Sequence, residues 1–299
     1  MDIQHEFMEW IDRQSWLDSA GKSIQQVVSD LYSSGGQVGL NIRDFLHGVW
    51  IGHPLHSVLT DIPLGAYTVG AVLETLEMVT GDEGYGKSAD ASVLMGVAGA
   101  VGSALSGVTD WQHTTGSSRR VGLLHGALNT GALALYAASL LSRAGRDRRA
   151  GWSLALMGYA LTLTAAYLGG NLVFDEKIGV NHAPEQDALP KKFTPVLAEA
   201  DLPENQLRRV LVGEIPLLLV RRGGRIYALS ETCAHLGGPL AEGTLKDNGP
   251  DGPSVVCPWH ASSFALEDGR VLQGPSTFRQ PCLEVRVRDG QIEVKASNN

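Results

Sequence analysis

The sequence predicts a chain in two parts, an all-α four-helix transmembrane bundle followed by a small all-β domain. Three observations predict it. Residues 51–178 hold four long apolar stretches and are far poorer in charge than either flank. Beyond residue 193 the apolar residues come instead in short, partly alternating runs separated by turns. Inside that second part, Cys233-Ala234-His235 and Cys257-Pro258-Trp259-His260 place one thiol and one imidazole in each of two arms. The expected boundaries are an N-terminal helical segment over 1–50, a membrane domain over 51–178, a linker over 179–196 and a metal-bearing domain over 197–296.

In the N-terminal segment, Phe7, Trp10, Ile11, Trp16 and Leu17 are spaced like the apolar face of a short helix. Such a face lies on a membrane surface or packs on the rest of the protein. No basic start followed by an apolar core and a small-residue cleavage site is expected here, so a secretory signal is not. Ser33-Ser34-Gly35-Gly36 breaks the segment.

The four apolar stretches, 58–79, 91–108, 121–141 and 152–174, are near the roughly 20 residues that cross a bilayer core as a helix. Asp61, Glu74 and Glu77 in the first must face the bundle or the interfaces. Gly96, Gly99, Gly102, Gly122 and Gly126 permit close helix approach. The alternative, a soluble helical core, leaves four such runs little polar surface for water. The chain of 299 residues has a formal charge of -8, which argues against nucleic acid as a partner. Three cysteines give no disulfide framework.

If the stretches alternate across the bilayer, His53, His56, His113 and His125 fall on one side. His53 and His56 share a helical face if the helix begins before Pro54. His56 and His125 can then approach as axial ligands of a b-type haem, or as part of a metal site completed by Asp61 or His113, with His53 nearby. The other reading is that these histidines only bond helix ends. No C-x-x-C-H is present, so a covalently attached haem is not expected. Arg143, Arg146, Arg148 and Arg149 favour a cytoplasmic loop, and Arg43, Arg119, Arg120, Lys177, Lys191 and Lys192 offset them on the opposite side.

After residue 193, the runs 217–220, 225–229, 254–257, 263–266 and 283–288 read as strands, with turns at Arg222-Gly223-Gly224 and Asp289-Gly290. In the two arms, a pair of soft thiolates can hold one iron while a pair of neutral imidazoles holds a second. A structural zinc also takes two Cys and two His, though usually with the Cys together in one knuckle and the His in the next.

The arms and their flanks resemble the Rieske iron-sulfur family over about residues 193–295. Leu236-Gly237-Gly238, Pro258-Trp259, Ser262, Phe264, Leu266-Glu267-Asp268-Gly269 and Gly274-Pro275 carry the likeness. The resemblance implies a [2Fe-2S] cluster with Cys233 and Cys257 on one iron and His235 and His260 on the other. Gly238, Trp259, Ser262, Phe264 and Pro275 would surround it. The respiratory branch of that family has a disulfide between the arms, where this sequence has Gly238 and Trp259, and often a Tyr where Phe264 stands. Fewer donors to the sulfurs imply a lower potential, as in the soluble ferredoxins that serve oxygenases, with Ser262 left to donate one bond.

The helical part resembles an uncharacterised bacterial family of four-helix membrane domains that begins Gly-His-Pro-x-His. Gly52-His53-Pro54-Leu55-His56, Thr60-Asp61-Ile62-Pro63, Thr109-Asp110-Trp111, Leu124-His125 and Gly169-Gly170-Asn171 carry that likeness. It implies a membrane domain found beside redox modules, with no established activity. Together the readings imply a membrane-anchored electron-transfer protein, a component of an oxidoreductase system with a redox donor and acceptor. Its expected place is the cell inner membrane, multi-pass, with the cluster domain in the reducing cytoplasm. The alternative is an oxidoreductase or oxygenase subunit whose helical histidines bind haem or a catalytic metal. A bare anchor with inert histidines is the third reading.

Overall fold

A computed structural model describes residues 3–297. These form two compact units, one of residues 3–42 with 54–178, the other of 43–53 with 179–297. The boundary at 42/43 falls inside the N-terminal segment expected over 1–50.

The first unit is helical. α1 (Ile3–Asp12), α2 (Trp16–Ser34) and the greater part of α3 (Gly36–His47) precede four long helices, α4 (Leu55–Thr80), α5 (Glu83–Trp111), α6 (Gly116–Ala144) and α7 (Arg148–Phe174). Each of the four is long and apolar enough to cross a membrane. α4 and α5 form one tight hairpin and α6 and α7 another. The first hairpin turns at Gly81, whose φ of 74° closes α4, and at Asp82, whose carboxylate accepts from Gly84 N at 2.8 Å to cap α5. Asp147 caps α7 in the same way, accepting from Ala150 N at 3.0 Å.

The outward faces carry Val69, Val72, Leu94, Met95, Leu105, Leu141, Leu156 and Met157, all exposed, which suits lipid rather than water. Glu74 and Glu77, deeper in the first apolar stretch, are paired, as the cost of a lone ion in hydrocarbon demands. Arg143 bonds the Glu74 carboxylate and, at 2.7 Å, Asp90. Arg148 reaches Glu77 at 2.8 Å and Asp90 at 3.0 Å. Asp61 is exposed. The aromatic stripe of the N-terminal segment divides. Ile11 and Leu17 pack with Val121 and Leu168, while Trp10 and Trp16 are exposed. Gln25 fixes α2 to the bundle by donating to the carbonyls of Trp111 and Thr114 at 2.9 and 3.0 Å.

The second unit is the small β domain. β1 (Thr194–Ala198), β2 (Leu207–Val212), β3 (Ile215–Arg222), β4 (Arg225–Ser230), β9 (Cys282–Arg288) and β10 (Gln291–Ala296) form an antiparallel sheet in the order β1-β10-β9-β4-β3-β2. β5 (Thr244–Asp247), β6 (Pro253–Val256), β7 (Ser263–Ala265) and β8 (Val271–Gln273) form a second sheet in chain order. β3 explains how the sheets share a core. Leu217 and Leu219 pack on one side with Ala228, Leu283 and Ile292, and Leu218 and Val220 on the other with Leu229, Val255 and Phe264. A strand buried on both faces reads as the unbroken apolar run seen at 217–220. Residues 179–196, read as a linker, contribute Leu189 to the first of these cores and β1 to the sheet edge.

Candidate metal centre

The two arms are the same turn made twice. The first follows β4 and the second joins β6 to β7. Cys233 N donates to Gly238 O at 2.9 Å, and Gly237 N returns a bond to Cys233 O at 2.9 Å. Cys257 N donates to Ser262 O at 2.8 Å, and Ala261 N returns a bond to Cys257 O at 3.1 Å. In both, the residue four after the cysteine has positive φ, 78° at Gly237 and 62° at Ala261. This backbone reversal carries His235 and His260 at the loop tips, where their ring centroids stand 5.1 Å apart at 89°.

The donors come in two pairs. Cys233 and Cys257 are buried against Leu240, Phe264 and Leu266, and the Cys233 thiol bonds the Cys257 sulfur. That bond draws the Cys257 thiol down to about 7 and, with burial, pushes the Cys233 thiol up. Burial first, then the neighbouring imidazole of His260, holds His235 well below the usual 6.5; burial lowers His260. Neutral imidazoles and one easily ionised thiol are ligand forms. Among the described residues no three His, Cys, Asp or Glu side chains converge as a single ion would require. A thiol pair beside an imidazole pair fits two irons better than one zinc. All three cysteines are free.

The residues around the pairs hold the arms. Ser262 Oγ accepts from Ser276 N at 2.9 Å, leaving its own hydrogen for another acceptor. Phe264 is fully buried behind the cysteines. Gly238 lies under Trp259, and a Cβ there would meet the Cys257 sulfur at 2.9 Å. Pro275 is buried in the loop after β8. Sequence reasoning missed two supports. Gln280 is buried, and its amide accepts from Ala234 N at 3.0 Å while donating to the carbonyls of Ser230 and Thr232 at 2.8 and 2.7 Å. Asp44 accepts from Gly274 N at 3.2 Å and Arg43 donates to Gly274 O at 3.2 Å, so residues 43–53 brace the same loop. A lone Gln between turn residues gives a weak sequence signal, and residues 43–53 lie far from the arms in sequence.

The helical histidines divide. His56 and His125 meet, with ring centroids 6.3 Å apart. His53 does not share a face with His56. Pro54 is extended, with φ -56° and ψ 119°, so α4 starts at Leu55 and His53 falls in the segment 43–53 of the other unit. His113 lies in the turn beyond Trp111, the last residue of α5. α6 begins at Gly116, which puts His125 well inside it.

Comparison with known proteins finds a match for each part. Residues 192–284 match the family model described as "Rieske [2Fe-2S] domain", and residues 52–182 that described as "Predicted membrane protein (DUF2231)". "Ferredoxin CarAc" of Metapseudomonas resinovorans is 36% identical over 100 residues, 33% of this chain and 89% of its own length. The 3-phenylpropionate/cinnamic acid dioxygenase ferredoxin subunit of Escherichia coli K12 is 34% identical over 95 residues, 32% of this chain and 85% of its own. Among solved structures, the ferredoxin of carbazole 1,9a-dioxygenase from Nocardioides aromaticivorans IC177 aligns at 21% identity, over 36% of this chain and 100% of its own, with a TM-score of 0.33. These similarities support electron transfer by a protein with a membrane domain, and none of them supports haem or a catalytic metal in the helices.

Proposed function

Because this chain belongs to the Rieske [2Fe-2S] family through residues 192–284, we propose that Cys233 and Cys257 hold one iron of a [2Fe-2S] cluster and His235 and His260 the other. The observation that carries this is the thiol pair beside the imidazole pair on two matched turns. When bound, such a cluster supplies a one-electron couple. The chain's own residues set its surroundings. Phe264, Leu240 and Leu266 exclude water behind the thiols. Ser262 offers one hydroxyl donor, and no disulfide joins the arms, which favours a potential below that of the respiratory branch.

The four apolar helices anchor this carrier in a bilayer, in our reading the cell inner membrane, with the β unit in the cytoplasm. Free cysteines suit that reducing compartment. One relative is named as the ferredoxin subunit of a dioxygenase, so we infer an oxygenase as electron acceptor and another redox protein as donor. Anaerobically purified protein should contain iron and acid-labile sulfide in equal amounts, with an EPR signal only on reduction. Both should be lost in Cys233→Ser and Cys257→Ser. Stoichiometric zinc without labile sulfide would overturn the assignment. Reporters active on one side of the membrane, fused to the C-terminus, test the orientation.

A further inference from the structure

The helical unit is built twice. His56, Tyr67 and Glu74 of α4 stand 69 residues before His125, Tyr136 and Arg143 of α6, and Gly96 and Gly107 of α5 stand 62 residues before Gly158 and Gly169 of α7. The contacts repeat with the same offsets. A Cβ on Gly107 would meet the His56 ring at 2.7 Å, and one on Gly169 would meet the His125 ring at 3.1 Å. Tyr67 and Tyr136 lie in the same way over Gly96 and Gly158. His56 Nδ1 is 2.8 Å from the carbonyl of Ser103, four residues before Gly107. His125 Nδ1 is 2.8 Å from the carbonyl of Ala165, four residues before Gly169. Each hairpin therefore uses a glycine on its second helix to seat a histidine from its first, and a carbonyl one turn away to fix the ring.

Equivalent residues also meet one another. His56 faces His125, Tyr67 stacks on Tyr136 at 3.6 Å, and Glu74 pairs with Arg143. α4 and α6 each pack beside α5 and α7, so these three pairs reach across the centre of the bundle. Self-matching contacts of this kind mark an approximate two-fold axis, here relating the hairpin α4–α5 to the hairpin α6–α7.

We propose that His56 and His125 are the two protein ligands of a haem held on this axis. A backbone carbonyl can only accept, so each Nδ1 carries the ring hydrogen and each Nε2 presents a lone pair, the form in which imidazole binds metals. Asn129 agrees with this tautomer, since its amide nitrogen, which can only donate, stands 3.2 Å from His125 Nε2; a metal on that lone pair displaces this bond and leaves Asn129 the one it also makes to the His125 carbonyl at 3.0 Å. Two imidazoles that share one metal through Nε2 at about 2 Å each have ring centres about 6 Å apart, and the two rings here are 6.3 Å apart. Among the described residues no third His, Cys, Asp or Glu joins them. A bare zinc ion calls for four donors, whereas a haem brings its own equatorial nitrogens and needs only axial ligands from the chain. The site stands on the helical unit alone and does not depend on the cluster assignment.

The test uses the full chain, made in cells supplied with a haem precursor and purified in detergent. The pyridine haemochrome should report about one b-type haem per chain, with a low-spin ferric spectrum from two imidazoles. His56→Ala and His125→Ala should each lose that spectrum, keep the iron-sulfide content of the β unit, and regain the low-spin form with added imidazole and haem. His113→Ala should keep its haem. Protein that carries its full cluster content but no haem overturns the proposal. So does haem retained unchanged in the double variant, or stoichiometric zinc or copper bound in place of haem.

Discussion

The indole of Trp259 lies against Gly238, where a Cβ would come within 3.0 Å of the ring and 2.9 Å of the Cys257 sulfur. No side chain fits between the arms at that point. Gly238→Ala should therefore push Trp259 or Cys257 aside at a cost of about 1–3 kcal/mol. The expected readout is a lower acid-labile sulfide content per chain, with Trp259→Ala in the same background restoring part of it.

Ser262 is tied by its acceptance from Ser276 N, which aims its hydrogen away from that bond. If the hydrogen reaches the cluster, Ser262→Ala removes a donor worth about 1 kcal/mol. For a one-electron couple this lowers the potential by about 40 mV. Protein-film voltammetry on both forms checks it, and an unchanged potential would mean the hydroxyl points elsewhere.

Gln280 satisfies three buried backbone groups of the first arm. Replacing it with Leu keeps the volume and strands all three, at about 1–3 kcal/mol for each buried group left unbonded. The β unit should melt earlier and release iron faster, while the helical unit still enters membranes. Calorimetry and the rate of bleaching in the visible check this.

Acid should weaken the metal-free β unit. Burial holds His235 and His260 below the ordinary imidazole value of 6.5, so in the folded state they resist a proton that the unfolded chain accepts. The stability they contribute is complete above about 6.5 and is lost as pH falls below it, because there the unfolded state binds more protons. Denaturant midpoints of apo-protein should fall between pH 7.5 and 5.5, and more steeply than those of a variant with both histidines replaced by Asn.

The β strands were legible where apolar residues run together, as at 217–220, or alternate strictly with charged ones, as at 283–288. The strands built from mixed runs were not. β2 begins at Leu207, where no strand was expected, because an edge strand needs to bury only part of one face. The two arms of the second unit, with one thiol and one imidazole in each, were legible from spacing, and the family resemblance supplied the ligand set proposed for them. Their supports were not, since Gln280, Asp44 and Arg43 act through backbone groups that leave no pattern. In the helices, spacing brought His56 and His125 together correctly but added His53 and His113, because the extended Pro54 and the end of α5 cannot be located to a residue from composition. The duplication was written in the sequence at two offsets, 69 residues between the first helices of the hairpins and 62 between the second. Only the contacts of Tyr67, Gly96 and their equivalents showed which residues to lay side by side.

Glu74 and Arg143 occupy matching places in the two hairpins yet carry opposite charges, and both are buried. Two copies of the first hairpin would force two carboxylates together in an apolar interior, and two copies of the second would force two guanidinium groups together. Either arrangement leaves buried charges without a partner, which costs far more than the pairing returns. The halves therefore recognise each other only as an unlike pair. A chain severed between Trp111 and Gly116 would be expected to reassemble from equal amounts of its two pieces and to leave any excess of either piece unassembled.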